Sequence, residues 1–178
     1  MKAVFRFGLV VVGGLVLGLG GRHYFETKQD RVSAAIGLFE RVCVPVSLQG
    51  DIEAAPDLSD LVPVGLRHSW ADPTSQFILT LDENRCSISD ILLYLNAQEQ
   101  VRFDMLVGEL VASAFPMLEA DDVDGAPEGG KFQLWSQSGQ DGGQKWGVLL
   151  TRWPEQDTDL DGDFDQAHTV LSVSFEVK

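Results

Sequence analysis

Five aspartates occupy alternate positions in the segment 157–165, which surrounds the glycine at position 162. The candidate metal ligands are Asp157, Asp159, Asp161, Asp163 and Asp165. Calcium takes roughly six to eight oxygen ligands, and alternate carboxylates followed by a glycine allow a chain to curl around such an ion. The spacing therefore predicts a structural calcium (Ca²⁺) site. The alternative is a solvated acidic loop in which the Asp-Gly pair only turns the chain.

The order DxDxDGxxD resembles the start of an EF-hand calcium loop and the shorter calcium repeats of thrombospondin-like extracellular proteins. The resemblance implies side-chain ligation by Asp157, Asp159 and Asp161, ligation by the carbonyl of Asp163, and direct or water-mediated ligation by Asp165. An EF-hand has a bidentate acid at the last position of its loop, where this chain has His168. The resemblance covers about a dozen residues and implies nothing about the remaining fold.

Motifs of enzyme active sites are missing from the sequence, which contains no GxSxG, HExxH, Walker A or strand-linked GxGxxG pattern. The three histidines, His23, His68 and His168, share no ligand spacing, and His68 beside Ser69 does not make a catalytic pair because adjacent residues seldom face each other. The four tryptophans are interpreted as core residues rather than as a ligand groove. We therefore predict a non-enzymatic protein; the alternative is a periplasmic hydrolase or small-ligand-binding protein with an unrecognised site.

The charge balance is strongly acidic, with 27 Asp and Glu against 13 Lys and Arg and a formal net charge of -14. Such a chain repels phosphate backbones, which excludes nucleic acid as a partner. It favours a basic partner protein, such as a cytochrome c, or a larger membrane complex, to which the acidic surface of this chain would bind. Surplus carboxylates that serve only solubility are the alternative.

The N-terminus has the architecture of an export segment. Residues 7–21 carry no charge and lie between Lys2 and Arg6 on one side and Arg22 on the other. As a helix they would reach about 22 Å, less than the roughly 30 Å of a hydrocarbon core unless the flanking arginines extend to the interfaces. We predict an uncleaved signal anchor over residues 1–24 that inserts in a bacterial inner membrane; a cleaved signal peptide is the alternative. The remaining residues, 25–178, would form a single extracytoplasmic domain in the periplasm.

Cys43 and Cys86 are the only cysteines, and an even count in an exported chain indicates one disulfide. Two buried thiols are the alternative if the domain stays in the cytoplasm. Taken whole, the chain resembles short exported proteins of unassigned function in alphaproteobacteria, which place one cysteine late in a first helix and another in a following strand. That resemblance supports a bridge between Cys43 and Cys86 and a periplasmic location, and it implies no activity.

Periodicity indicates two amphipathic helices. Apolar residues recur at helical spacing over residues 26–43, and Pro45 is expected to end the pattern. Asn96 with Glu99 resembles a capping box before a second helix, which Pro116 stops. Residues 46–76 are expected to be mainly loop, with one short helix over residues 57–62.

Alternation indicates strands in the hairpin pattern of residues 77–88 and in three later segments, Lys131 to Gln137, Lys145 to Trp153 and Thr169 to Lys178. Residues 119–130 are expected to form a loop, and no internal repeat is visible in the sequence. The order of elements predicts an α+β fold in which two helices pack on an antiparallel sheet of about five strands.

Overall fold

The computed structural model describes residues 30–65, 68–121, 130–137, 146–153 and 168–175. These residues form helix α1 (Arg31–Gln49), a short 3-10 helix (Ile52–Ala54) and helix α2 (Ala97–Ala114). The strands are β1 (Val62–Pro63), β2 (Ser69–Ala71), β3 (Ile78–Asp82), β4 (Arg85–Ser89), β5 (Glu119–Asp121), β6 (Lys131–Gln137), β7 (Trp146–Arg152) and β8 (Thr169–Ser174).

The strands form one antiparallel sheet in the order β1-β2-β3-β4-β8-β7-β6-β5. The α+β class is confirmed, but the prediction of about five strands was too low, since the described residues contribute eight. The strands that the sequence did not indicate are β1, β2 and β5, which have two or three residues each. A strand this short shows no alternation of its own and forms because a longer neighbour offers a hydrogen-bonding edge.

The topology repeats although the sequence does not. Helix α1 is followed by the meander β1 to β4, and helix α2 is followed by the meander β5 to β8. The last strands of the two meanders, β4 and β8, pair antiparallel at the centre of the sheet. Within the described residues, each half therefore supplies one α-helix and four strands, and β1 and β5 lie at the two edges of the sheet.

Both helices belong to one apolar core on a single side of the sheet, which we call the helix face. Helix α1 packs on β4, β8 and α2, and Phe103 of α2 stacks on Phe77 with ring centroids 5.7 Å apart. The cross-strand row Leu79, Ile88, Leu171 and Leu150 is buried beneath the helices. Because side chains alternate along a strand, their neighbours lie on the opposite side, which we call the far face.

Helix α1 continues beyond the end that the sequence predicted. Asp30 caps it by accepting a hydrogen bond from the Val32 N–H, and Gly50 ends it in the left-handed conformation at φ 66°. Pro45 lies inside the helix, although a proline there removes one backbone hydrogen bond. The expectation that Pro45 stops the helix was wrong because the turn after it still buries Val46 in the core.

The other long elements agree with the sequence patterns. Strands β3 and β4 form the expected hairpin around residues 83 and 84, and β6 has the predicted bounds. Helix α2 begins at the predicted capping box, in which Asn96 Oδ1 accepts from the Glu99 N–H at 3.1 Å and Glu99 Oε2 accepts from the Asn96 N–H at 3.0 Å. The short helix expected over residues 57–62 was wrong: the chain turns there and then enters β1, and the 3-10 helix comes earlier.

A disulfide joins Cys43 of α1 to Cys86 of β4, as the sequence predicted, with 5.3 Å between the Cα atoms. Both residues are fully buried, so the bond links α1 covalently to the central strand β4 inside the core.

Among the described helices, α1 alone is long and apolar enough to cross a membrane by length and composition, a test that a core helix also passes. Nine of its residues are buried. The disulfide and this helix are compatible with an exported or membrane-anchored protein. The segment predicted as the anchor, residues 7–21, lies outside the described residues.

Candidate functional site

Two pairs of rings lie at one end of the sheet, and we call the four residues the aromatic row: Tyr94, His168, Trp153 and Phe132. The rings of Tyr94 and His168 stack with their centroids 3.7 Å apart and an angle of 3° between their planes. Trp153 packs edge-on against Phe132 at 5.3 Å. The backbone N–H of Trp153 donates to the backbone carbonyl of His168 at 2.8 Å, so the two pairs of rings belong to neighbouring residues of the sheet.

The register of the sheet places these rings on one side. In the sheet, Arg152 of β7 lies opposite Thr169 of β8 on one side and Lys131 of β6 on the other. The side chains of Arg152 and Lys131 both bind Asp104 of α2, so these positions lie on the helix face. The next residue in each strand points the other way. His168, Trp153 and Phe132 therefore lie on the far face, away from the helices.

Tyr94 reaches the row from the connection between β4 and α2, residues 90–96. Strand β4 ends at Ser89, opposite Val170 of β8, so this connection leaves the sheet where β8 begins. Tyr94 and Trp153 are 41% and 42% exposed. Leu92 and Leu93, in the same connection, are also exposed. The row and its neighbours thus form an apolar surface that remains open to a partner in the part of the chain described.

Asp90 holds the connection of Tyr94 in place. Its buried carboxylate accepts hydrogen bonds from the Thr169 N–H at 2.7 Å and the Leu95 N–H at 3.2 Å. Its own N–H donates to the Thr169 carbonyl at 3.1 Å. These bonds join both ends of the connection to the residue that follows His168. They determine where Tyr94 lies relative to its stacking partner.

The protonation of Asp90 is shifted by its surroundings. Burial raises the pKa of Asp90 above its ordinary value, because a charge is poorly solvated there. The hydrogen bonds from Thr169 and Leu95 and the nearby His168 act in the opposite direction without cancelling the effect of burial.

An ion-pair cluster fixes the strands that carry the other two rings. Asp104 Oδ1 accepts from Arg152 at 2.6 Å, and Asp104 Oδ2 accepts from Lys131 at 2.7 Å. Burial by itself raises the pKa of Asp104, but the hydrogen bonds and charges of Arg152 and Lys131 outweigh it and lower the pKa below the ordinary value. Since Arg152 precedes Trp153 and Lys131 precedes Phe132, the cluster anchors both residues to α2.

A second feature is an open groove of about 320 Å³ beside α1. It contains the ion pair between Arg41 and Asp60, at 2.8 Å, and the buried Asp72, whose carboxylate accepts from the N–H groups of Thr74 and Ser75. The carboxylate of Asp72 is thus engaged in its own turn. No histidine of the described residues lines this groove.

The residues considered for catalysis are not brought together. His68 is exposed on a turn with φ 52°, whereas Ser69 is buried and shares a hydrogen bond with Thr80 at 3.1 Å. His168 stacks in the aromatic row, and His23 lies outside the described residues. Of the tryptophans, Trp135 is buried in the core, Trp70 and Trp146 pack against it, and Trp153 is exposed. The core interpretation of the tryptophans therefore fails for Trp153.

The five aspartates of segment 157–165 lie outside the described residues, so calcium binding there stays a prediction. Within the described residues, no group of three His, Cys, Asp or Glu side chains is placed to hold a metal ion. His168, at the end of the segment, faces Tyr94.

Calcium is expected to raise the melting temperature of the chain. A free concentration ten times the dissociation constant, itself on the order of 10⁻⁴ to 10⁻³ M, adds about 1.4 kcal/mol to the free energy of unfolding. For a chain of this size the shift is about 4 °C relative to chelator at matched ionic strength. The variant carrying Asp159→Asn and Asp161→Asn should lose the shift. Identical wild-type melting temperatures in calcium and chelator would contradict the prediction.

Sequence reasoning considered Trp153 and His168 separately and did not single out Tyr94. The sequence does contain a signal for two of these residues, since Trp153 ends one predicted strand and His168 precedes the next predicted strand. If the two strands pair as a hairpin, Trp153 and His168 become neighbours. Comparison of the chain with protein-family models, with curated proteins and with solved structures gives no match. The inference of function therefore depends on the geometry of the chain itself.

Proposed function

We propose that this chain is a non-enzymatic accessory domain that is tethered to a bacterial inner membrane and binds a basic partner protein in the periplasm, as a subunit of a larger membrane complex. The apolar segment 7–21 would hold it in the membrane, and residues 25–178 would form the periplasmic domain. The disulfide between Cys43 and Cys86 supports an oxidising compartment.

The observation that carries the proposal is the exposed aromatic row on a strongly acidic chain. Exposed contiguous apolar surface is typical of interaction sites, and tyrosine and tryptophan are enriched there. Tyr94 and Trp153 are exposed at the row, and the formal net charge is -14. An acidic surface with aromatic side chains fits a basic protein better than it fits a nucleic acid or an anionic lipid surface.

The alternative, a periplasmic hydrolase or small-ligand-binding protein, requires a polar pocket in which a histidine meets a nucleophile. His68 and His168 lie outside the described groove, and Ser69 is hydrogen-bonded to Thr80. We therefore favour the accessory domain.

The test is affinity purification of the tagged full-length chain from detergent-solubilised membranes at low and at moderate salt. We expect a basic protein to be recovered in stoichiometric amount at low salt and to be depleted as salt rises, because screening weakens attraction between exposed charges. Recovery of no partner at low salt would contradict the proposal. Fractionation before solubilisation is the control for the tether, since a cleaved chain would leave the membrane fraction.

A further inference from the structure

Four apolar residues are exposed around the first half of α2, and we call them the α2 patch: Leu92, Leu93, Val101 and Met105. Val101 and Met105 lie one turn apart and are 72% and 55% exposed. The helical period puts them on the opposite side of α2 from Phe103 and Val107, which are buried in the core. Helix α2 therefore presents apolar side chains to its surroundings on one side and to the core on the other.

The described chain begins next to this patch. Asp30, which caps α1, pairs with Arg102 at 2.6 Å, and Arg102 directly follows Val101. Arg31, the first residue of α1, donates to the backbone carbonyl of Leu93 at 2.5 Å. The preceding part of the chain therefore enters the domain at the patch.

We infer that the α2 patch rests on the surface of the bilayer in which the chain is anchored, at the boundary between lipid headgroups and acyl chains. This inference rests on the proposed function, because it takes segment 7–21 as the anchor, and it deepens that function by orienting the domain. Residues 22–29 separate the anchor from Asp30, and eight residues reach at most about 30 Å when fully extended. The start of α1, and the patch beside it, are thus held within that distance of the membrane.

Ion pairs neutralise the acids beside the start of the patch. Asp30 pairs with Arg102 at 2.6 Å, and the carboxylate of Glu99 lies 3.4 Å from Arg31. The exposed Glu109, further along α2, marks where the apolar side of the helix ends. Arginines beside apolar side chains suit the boundary of a bilayer, because their guanidinium groups stay at the headgroups while the apolar groups enter the acyl region. The lipid that fits is zwitterionic, since the chain as a whole carries a formal net charge of -14.

The size of the patch argues for a tethered contact rather than for contact with a second copy of the chain. A stable interface between proteins takes roughly 20–30 residues on each side, far more than this patch contains. A surface to which the chain is already anchored needs much less contact, because the anchor supplies a high effective concentration. Since Tyr94 directly follows Leu93, docking of the patch also holds the aromatic row beside the bilayer, within reach of a membrane complex.

The test compares two exposed methionines that differ in position but not in type. Met105 belongs to the patch, and Met117, 44% exposed, lies beyond the other end of α2. Each is replaced in turn, as Met105→Cys or Met117→Cys, and labelled with a fluorophore; Cys43 and Cys86 are bonded to each other and do not react. The full-length chain is then reconstituted in phosphatidylcholine vesicles, part of whose lipid carries a nitroxide quencher close to the headgroup.

We expect the nitroxide lipid to quench the label at position 105 about threefold more strongly than the label at position 117, because only the first would lie at the headgroup boundary. Leu93→Ser combined with Val101→Ser, in the chain labelled at position 105, should remove most of this difference, since it makes the patch polar. Leu48→Ser is the matched control, because it changes a similarly exposed leucine near the other end of α1 and should leave the quenching unchanged.

The outcomes separate the inference from the function on which it rests. Equal quenching of the two labels, in chains that remain with the vesicles, would overturn the docking of the patch and leave the tether and the basic partner standing. A blue-shifted label at position 105 that the nitroxide lipid does not quench would show that protein, such as a second copy of the chain, covers the patch, and the inference would be wrong. A chain that leaves the vesicles in a carbonate wash would contradict the tether, and with it both the inference and the proposed function.

Discussion

Replacing Cys43 and Cys86 together by alanine should lower the free energy of unfolding by about 4 kcal/mol. The two residues are 43 positions apart, and the chain-entropy argument gives a stabilisation of this size for closing such a loop in the unfolded state. Because the bond joins α1 to β4, its loss also frees the first helix from the centre of the sheet. That helix would then be held by apolar packing and by ion pairs such as those of Arg31 with Glu99 and Arg41 with Asp60.

Urea unfolding of the full-length chain measures the effect, with oxidised wild type, reduced wild type and the double variant compared under identical conditions. Reduced wild type is the matched control, since it keeps both side chains and loses only the bond. We expect the reduced wild type to approach the double variant. Oxidised and reduced wild type with the same midpoint and slope would show that the bond contributes nothing, and free thiols in unreduced periplasmic material would argue against the location as well.

The sequence predicted the elements whose signals are local and long. Helix α2 has a capping box at Asn96, an apolar stripe and a proline beyond its end, and the β3-β4 hairpin alternates on both sides of a short turn. Each of these signals lies within the element itself. The local sequence of each stretch is therefore sufficient to place these elements.

The elements that were missed are formed by their neighbours. Strand β1 has two residues, one of them Pro63, and exists because β2 offers it an edge. Helix α1 passes Pro45 because burial of Val46 favours one more turn, which outweighs a local stop signal. Tertiary contacts decided both cases, and a local pattern contains no information about them.

The candidate site depends on pairings between distant parts of the chain. His168 and Trp153 become neighbours through the β7-β8 ladder, and Tyr94 meets them only because β4 pairs with β8 at the centre of the sheet. Predicting the row therefore required the strand order, which follows from the repeated helix and meander and is not visible as a sequence repeat. The charge that favours a basic partner could be read directly, since composition needs no fold.

Asp90→Ala should lower the free energy of unfolding by about 3 kcal/mol, because it leaves the buried N–H groups of Thr169 and Leu95 without an acceptor at roughly 1–3 kcal/mol each. The substitution also detaches the connection that carries Tyr94 from the start of β8. We therefore expect the stacking of Tyr94 on His168 to be lost. A variant that keeps both its stability and the ring-current shifts of Tyr94 and His168 would contradict this positioning role.

The ionisation of Asp90 adds a pH dependence whose sign follows from its pKa. Burial raises that pKa in the folded state above the ordinary value of 3.8, so the folded chain holds the proton more tightly than the unfolded chain. The stability associated with Asp90 is thus fully present below about pH 4 and is lost as pH rises through the folded pKa. Asp104 contributes to stability in the opposite pH range. Its pKa is lowered in the folded state, so its contribution to the free energy of unfolding is fully present above about pH 4 and is lost as pH falls through the folded pKa.

Asp90→Asn separates these two effects, because it keeps one oxygen acceptor and removes the titration. Its stability relative to wild type should be poorest near pH 4, where protonated Asp90 bears no charge penalty, and should improve toward neutral pH as the wild type acquires a buried charge. Urea unfolding at pH values from about 4 to 8 gives the two curves. Parallel curves would show that Asp90 does not titrate differently in the two states. Converging curves would show that the buried charge of Asp90 costs stability as pH rises, although its carboxylate accepts the hydrogen bonds that fix the connection carrying Tyr94.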